Sequence, residues 1–458
     1  MSKATKIYDY FIIGTGPAGQ TVASAAAEAG KSVGIADYQP YGGTCPLRGC
    51  DPKKVLHAAA KAMNATNRLV GKGFGARPPF DWSELQAWKR SFTEKITPGT
   101  LKKFEKQGVD SLFGKATFTA PHELVVAGTR VRAEHIIIAT GEKPAPLDFP
   151  GSDLLLTSDE FLDLDELPES MIIVGGGYIG AEFAHLATVL GARVTVIVSE
   201  ASPLAKFDRD LNTLLAGAAR DRGMTLHLSS RAIGVERTPD GRLSVRAEKE
   251  DGSSFTVTAD RAFHCAGRIP NIEDLNLEAA GIDYGKKGIV VNNQLCTGVR
   301  AHYAVGDCST GGLALTPVAN QEAKIVVDNL LHGNNRGIDY DLIPTLAFTI
   351  PPIAAVGMTA EEADKSDENL RINYKITTDS FSTKHQNGIV SAHKIIIDAD
   401  TETVLGAHLL GPGADEVINL FTLAIRQKVT TETLRQMIWG YPTKGGNIGS
   451  MVGYAQTG

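Results

Sequence analysis

Cysteine is scarce in this chain, with five among 458 residues. They are too few and too scattered for a small scaffold stapled by disulfides. Only Cys45 and Cys50 are close in sequence; Cys265, Cys296 and Cys308 lie in or near apolar runs, where a buried, inert thiol is expected. The 11 histidines are dispersed, and no Cys/His cluster has structural-zinc spacing, so no metal site is predicted. An excess of basic charge is also missing. The formal charge is -6, and no broad basic tract offers a surface for a phosphate backbone, so nucleic acid is not an expected partner. No apolar stretch reaches the roughly 18 residues of a spanning helix, and no membrane association is predicted. The apolar run from Tyr8 ends at Gly14, short of a cleavable signal, so a cytoplasmic location is expected.

What remains is a soluble composition, 43% hydrophobic and 21% charged, in a chain too long for one core. Two to four domains are predicted. Glycine is plentiful, at 48 residues, and falls in clusters between apolar runs. The first cluster has a specific context. The strand Tyr8–Ile13 runs into Gly14-Thr15-Gly16-Pro17-Ala18-Gly19, a helix-compatible Gln20–Ala29 follows, and the strand Ser32–Ala36 ends at Asp37. This is the order of a dinucleotide-binding unit. Gly14 permits the sharp turn, Gly16 clears the pyrophosphate path, and Gly19 allows close helix–strand packing. Asp37 is placed to accept hydrogen bonds from a ribose.

A second copy follows, with strand Met171–Val174, turn Gly175-Gly176-Gly177-Tyr178-Ile179-Gly180, helix Ala181–Leu190 and strand Arg193–Val198. Two such signatures predict two nucleotide domains, most simply one for a flavin and one for a nicotinamide. His135–Gly141 and Phe263–Gly267 read as the closing strands of the two units. His302–Asp307 and the helix Val318–Leu331 are assigned back to the first domain, which is therefore discontinuous. After Ile338, Pro344, Pro351 and Pro352 punctuate a β-rich α+β region with runs Val390–Ile397 and Thr403–Leu410, and acidic Glu361–Glu368 is a solvated helix or loop.

The chemistry concentrates in Gly42-Gly43-Thr44-Cys45-Pro46-Leu47-Arg48-Gly49-Cys50-Asp51-Pro52-Lys53-Lys54. Four residues separate the cysteines, just over one helical turn, and one distorted turn brings the sulfurs together. These motifs, in this order, resemble the flavoprotein disulfide reductases, the family of glutathione reductase, dihydrolipoamide dehydrogenase and mercuric reductase. The resemblance runs from Tyr8 through the C-terminal region. It implies an α/β fold of two Rossmann-like domains, for FAD and NAD(P), plus a C-terminal α+β dimerisation domain. The expected segments are 1–150 and 271–336 for FAD, 151–270 for NAD(P) and 337–458 for dimerisation. By the same resemblance Cys45 is the interchange thiol and Cys50 the flavin-proximal one, Lys53 stands near the flavin N5 edge with Glu182 as its acidic partner, and Tyr178 is the aromatic gate over the flavin. FAD contacts are expected at Gly14, Gly16, Gly19, Asp37, Gly43, Thr44, Lys54, Ala116, Thr140, Gly141, Gly267, Arg268, Asp307, Leu315 and Thr316. Nicotinamide nucleotide contacts are expected at Gly175, Gly177, Tyr178, Ile179, Gly180 and Glu200.

The chain departs from that family in three places. Disulfide-reducing members carry a His-Pro followed after three residues by Glu, the acid–base pair for the leaving thiol. Here Tyr441-Pro442-Thr443-Lys444-Gly445-Gly446 puts Tyr in place of His and Gly in place of Glu. Free phenols titrate near about 10, a poor match to proton transfer at neutral pH. Mercuric reductase also resembles the chain in having Tyr there, but nothing after Cys308 is cysteine to receive the metal. In the redox loop, Arg48 and Asp51 replace apolar residues. Arg48 either attracts an anionic acceptor or pairs with Asp51, and Asp51 opposes a thiolate at Cys50 that Lys53 favours. Finally, Ser199 and Ala205 stand where NADPH users carry arginines, while Glu200 is positioned to repel a 2′-phosphate, so NADH is slightly preferred over NADPH.

The expected activity is therefore NAD(P)H-to-FAD-to-Cys45–Cys50 electron transfer, in a homodimer, to a small-molecule or protein disulfide or another thiol-reactive acceptor. The alternatives are direct reduction of a quinone, metal ion or other small oxidant by the flavin, and a flavin–thiol redox sensor.

Overall fold

The computed structural model describes residues 5–453. The outermost parts of the expected first and last segments, residues 1–4 and 454–458, lie outside the described residues. The described residues form two compact units, one within 1–55, 86–146 and 267–340, the other within 56–85, 147–266 and 341–458.

In the first unit the apolar strand Lys6–Ile13 is the centre of a parallel sheet. It pairs with Val33–Asp37 on one side and Thr129–Ile138 on the other, and Asp110–Phe113 extends the sheet beyond Val33–Asp37. The Thr129–Ile138 strand has two kinds of neighbour. Its first half pairs antiparallel with Glu123–Val126, and its last three residues pair in parallel with His302–Ala304. That second pairing closes the discontinuous domain. One face of the sheet packs Phe11, Phe118 and Ile136, and the other packs Ile12, Ile35 and Ile137 beneath the helices Pro17–Glu28 and Thr316–His332. Strands buried on both faces explain the unbroken apolar runs in the sequence.

The second unit holds a parallel sheet in the order Thr225–His227, Arg193–Ile197, Ser170–Val174, Arg261–His264, with the helix Tyr178–Leu190 against it. A three-stranded antiparallel meander follows, Ser230–Arg237, Leu243–Lys249 and Ser254–Ala259. Five antiparallel strands form the C-terminal sheet, in the order Thr345–Ala347, Ile353–Gly357, Thr403–Leu410, Ala392–Asp398, Leu370–Ile376. The helix Ala414–Arg426 covers it with Val417, Ile418 and Phe421. The acidic stretch begins as a short helix, Ala360–Ala363, under a Thr359–Glu362 capping box. No helix among the described residues is long and apolar enough to cross a membrane.

Within this unit Lys394 is nearly buried and its ammonium bridges Asp208 at 2.7 Å and Asp210 at 2.6 Å; the Asp208 side chain is 1% exposed. Removing the cation strands a buried carboxylate. Lys394→Met is expected to lower the unfolding free energy by about 3 kcal/mol. Breaking the exposed Lys6–Asp110 pair by Lys6→Met should change it by less than about 1 kcal/mol. Thermal and denaturant unfolding of the two variants checks this contrast.

Candidate active site

The two glycine turns share one geometry. A methyl group on Gly14 would stand 2.2 Å from the Ala139 carbonyl oxygen, and one on Gly19 would stand 2.0 Å from that of Gly14, whereas one on Gly16 meets nothing within 4 Å. In the second turn Gly175 would strike Cys265 O at 2.3 Å and Gly180 would strike Gly175 O at 2.2 Å, and Gly177 again faces open space. The outer glycines let backbone pack on backbone, and the middle one leaves a side-chain-free approach to a helix N-terminus. In each turn the first glycine also has positive φ, 108° at Gly14 and 112° at Gly175.

Asp37 ends its strand as the sequence predicts, and its Oδ2 accepts the Thr15 N–H at 2.8 Å and the Thr15 hydroxyl at 2.7 Å. Thr15 in turn accepts the Gly42 N–H at 3.2 Å, and Gln20 donates to Thr15 O at 3.0 Å. A methyl on Gly43, whose φ is 81°, would lie 2.3 Å from Gly16 Cα. The loop before the cysteines is thus laid directly on the glycine turn. Sequence reasoning passed over Thr15 and Gln20; a fully buried hydroxyl between two motif glycines was the available signal.

The cysteines occupy two helices rather than one. Thr44–Arg48 is a short helix, Gly49 breaks it at φ -142°, ψ -116°, and Cys50–Arg68 begins a new one. A side chain on Gly49 would approach the Thr44 carbonyl oxygen to 2.9 Å, so the break requires glycine. The two thiols are close enough to shift each other's acidity. Both are free thiols, Cys45 half-buried and Cys50 exposed. Their acidities diverge. The hydrogen bond from Cys45, helped by Thr316 and the charge of Lys53, overrides burial and Asp51 to bring Cys50 from an ordinary 9.0 down to about 6. Donating that bond and burial push Cys45 strongly up. Thr316 lies at the start of its helix, with its hydroxyl 3.7 Å from Cys50 Sγ. Asp51 works against Lys53, as its position in the sequence suggests.

The first unit also carries the other polar groups expected at the cofactor site. Thr140 Oγ1 is buried without a hydrogen-bond partner among the described residues. Gly141 is left-handed, and Asn271 Nδ2 donates to Thr140 O at 3.3 Å and to the Tyr38 hydroxyl at 3.1 Å. Arg268 donates to Glu142 O at 2.6 Å and its charge partly offsets the burial that raises Asp307. Ala116 starts a buried edge strand, Gly267 has a φ of 112°, Leu315 caps the Thr316–His332 helix, and Thr44 and Lys54 are exposed on either side of the cysteines. The open approach at Gly16, the buried Thr140 hydroxyl and the acid at Asp37 fit a flavin dinucleotide.

In the second unit Tyr178 and Ile179 begin the helix after the glycine turn, and the Tyr178 hydroxyl bonds Thr345 Oγ1 at 2.6 Å. Glu182 Oε1 accepts the Phe348 N–H at 2.8 Å. Glu200 is exposed just past the Arg193–Ile197 strand and accepts the Ser199 hydroxyl at 2.8 Å. Tyr441 is 87% exposed. The turn behind it is closed by Thr443, which bonds Gly440 O at 2.7 Å and receives Gly446 N–H at 3.0 Å, while Lys444 is tied to Ser382 O. Of the remaining cysteines, Cys265 and Cys308 are buried and their thiols pushed up, to about 12 and about 11, by burial. Cys296 is only half-buried and makes an isolated β-bridge to Tyr303.

Residues 8–323 match the family described as pyridine nucleotide-disulphide oxidoreductase, and residues 343–452 match its dimerisation domain. The chain belongs to the pyridine nucleotide-disulphide oxidoreductase family. It is 32% identical to dihydrolipoyl dehydrogenase of Thermus scotoductus over 96% of this chain and 95% of that protein. It is 30% identical to glutathione reductase of a Nostoc species over 95% and 97%. Among solved structures it resembles the HOCl-induced flavoprotein disulfide reductase RclA of Escherichia coli, with TM-score 0.87 and 28% identity over 98% of this chain and all of that one. The chain is accordingly an FAD- and NAD(P)H-dependent disulfide oxidoreductase with a redox-active Cys45–Cys50 pair. Its α/β fold has two Rossmann-type domains and an α+β dimerisation domain through which it forms a homodimer. Leu420, Leu423, Met437 and Ile438 present exposed apolar surface on that last domain.

The raised acidity of Cys50 has a definite pH signature. The thiolate-dependent part of folded-state stability is complete above about 9 and is lost as the pH falls through about 6. In the dithiothreitol-reduced protein, alkylation of Cys50 is expected to hold its rate down to about pH 6 and to fall below it. Thr316→Val should move the inflection upward. An inflection at the ordinary thiol position in wild type contradicts the proposed stabilisation.

Proposed function

We propose that this oxidoreductase delivers electrons from NADH through Cys50 and Cys45 to a thiol-reactive acceptor that needs no acid beyond the thiol pair. The observation that carries this reading is the divided acidity of the thiol pair in a chain whose C-terminal turn lacks the His and Glu. When bound, FAD takes hydride from the nicotinamide and passes two electrons to the disulfide. On reduction the Cys45–Cys50 bond breaks, Cys50 keeps the negative charge under Thr316 and Lys53, and Cys45 takes the proton. Cys45 then gives its proton to the acceptor's leaving group as its sulfur bonds the acceptor, and the Cys50 thiolate attacks Cys45 to displace the reduced product and re-form the disulfide.

On this reading residues 1–150 and 271–336 form the FAD domain, 151–270 the NAD(P) domain and 337–458 the dimerisation domain. Gly14, Gly16, Gly19, Asp37, Gly43, Thr44 and Lys54 serve the FAD adenosine, pyrophosphate and redox-loop contacts. Ala116, Thr140, Gly141, Gly267, Arg268, Asp307, Leu315 and Thr316 complete its site. Gly175, Gly177, Ile179 and Gly180 receive the nicotinamide nucleotide, and Tyr178 screens the flavin until it arrives. Lys53 stabilises negative charge on the reduced flavin, and Glu182 orients that lysine. Glu200 favours NADH by repelling a 2′-phosphate. Tyr441 borders the acceptor without serving as a proton shuttle, and the enzyme acts in the cytoplasm.

A second reading, direct reduction of a metal ion by the flavin, has its own support. The Escherichia coli RclA structure was also solved as a Cu(II) complex, both unaltered and as a cysteine-to-serine variant, with TM-scores of 0.88. A metal ion has no leaving thiol to protonate, which suits the missing His.

Anaerobic reduction followed by reoxidation with disulfides, quinones and Cu(II) separates the two routes. Cys45→Ser is expected to abolish acceptor turnover by at least about a hundredfold while leaving flavin reduction intact, as loss of a nucleophile does. Undiminished Cu(II) turnover in that variant selects the direct route instead. Glu200→Ala should raise kcat/KM for NADPH about three- to tenfold, with little change for NADH, when both are compared by steady-state kinetics.

A further inference from the structure

Glu322 lies in the Thr316–His332 helix and is 1% exposed. Its Oε2 accepts the Gly306 N–H at 2.5 Å, and its Oε1 accepts the Tyr340 hydroxyl at 2.6 Å. No cation is ion-paired with it among the described residues. Burial pushes its carboxyl up, the two donors pull it back, and the neighbouring Asp307 carboxylate adds to the upward push. A buried acid held in this way costs stability unless both oxygens are satisfied, so its place in the fold calls for a reason.

The reason lies in what its two partners hold. Gly306 directly precedes Asp307, and its φ of 73° bends the chain at the end of the His302–Ala304 strand. Tyr340 lies against the glycine pair further along the same loop. A methyl on Gly311 would come within 2.2 Å of the Tyr340 hydroxyl, and one on Gly312 within 2.4 Å of its ring. Gly311 and Gly312 lead into Leu315 and Thr316, whose hydroxyl stands at Cys50 Sγ. One carboxylate and one phenol therefore fasten the loop at both ends, immediately before Asp307 and shortly before Thr316.

We propose that Glu322 and Tyr340 are positioning residues that set the Asp307–Thr316 loop against the flavin and against Cys50 without touching either. This rests on the reading that Asp307 and Thr316 face FAD. Neither residue was singled out by sequence, since a Glu at a helical position and a Tyr beyond the helix carry no motif.

The test compares holoenzymes of wild type, Glu322→Ala, Glu322→Gln and Tyr340→Phe. Three quantities are read: FAD release by ultrafiltration, long-wavelength thiolate–flavin absorbance after anaerobic two-electron reduction, and thermal unfolding. Glu322→Ala is expected to weaken FAD binding about tenfold or more, from loss of a charge-assisted bond at each end of the loop, and to diminish the thiolate–flavin absorbance. Glu322→Gln should recover most of both, because its amide oxygen accepts from Gly306 and its NH2 donates to the Tyr340 oxygen. Tyr340→Phe, which keeps the ring on the glycines, should weaken FAD by about threefold and still unfold cooperatively, so it carries the test if Glu322→Ala does not fold. Folded Ala or Phe variants with wild-type FAD affinity and wild-type absorbance overturn the proposal, as does a Gln variant as impaired as Ala. Failure of wild type itself to retain FAD strikes instead at the cofactor reading on which the proposal rests.

Discussion

The geometry at Gly49 governs the rest of the chemistry. Gly49 ends one helix and starts another between Cys45 and Cys50, and the two thiols act on each other's acidity. The pair cannot be symmetrical, because one sulfur must donate and the other accept. The surrounding charges then decide which. Lys53 and Thr316 both act on Cys50, and Asp51 weakens their effect without reversing it. The glycine turn contributes at a distance by seating Gly42 and Gly43 against Thr15 and Gly16, which fixes where the first helix begins. Cofactor cradle and thiol pair are consequently one construction.

Much of the architecture was legible in the sequence because its signals are local. A strand, a glycine turn and a helix in immediate succession read correctly twice, and the boundaries shifted by only a few residues, as when the helix expected from Gln20 starts at Pro17. The return of the His302–Ala304 strand to the first domain was also readable, from an apolar run ending in Gly-Asp. The redox loop declared itself through two cysteines among glycines and lysines. The helix break was anticipated only as a distortion, since φ and ψ at a glycine are not encoded by neighbours alone.

What escaped sequence reading depends on distant partners. Thr15 and Gln20 matter through Gly42, and Glu322 matters through Gly306 and Tyr340. Thr15 sits inside the glycine motif, but its partners, like those of Gln20 and Glu322, are set only once the chain is folded. Cys296 illustrates the converse, since proximity to apolar residues in sequence did not translate into full burial. The replaced acid–base pair is a different case. Tyr441 and Gly446 are visible as substitutions only against a family pattern, and the turn they leave behind is held by Thr443 instead of a carboxylate.

The strand Thr129–Ile138 bears on how the polypeptide acquires its shape during synthesis. Its terminal residues wait for His302–Ala304, which the ribosome supplies only after the whole Ser170–His264 sheet has emerged. The inserted domain therefore has all its strands available while its host still exposes an unfinished edge. Unpaired β-edges invite association with other chains, and here the exposed interval is fixed by gene order. Circular permutation that starts the chain ahead of residue 302 would supply that strand first and shorten the interval.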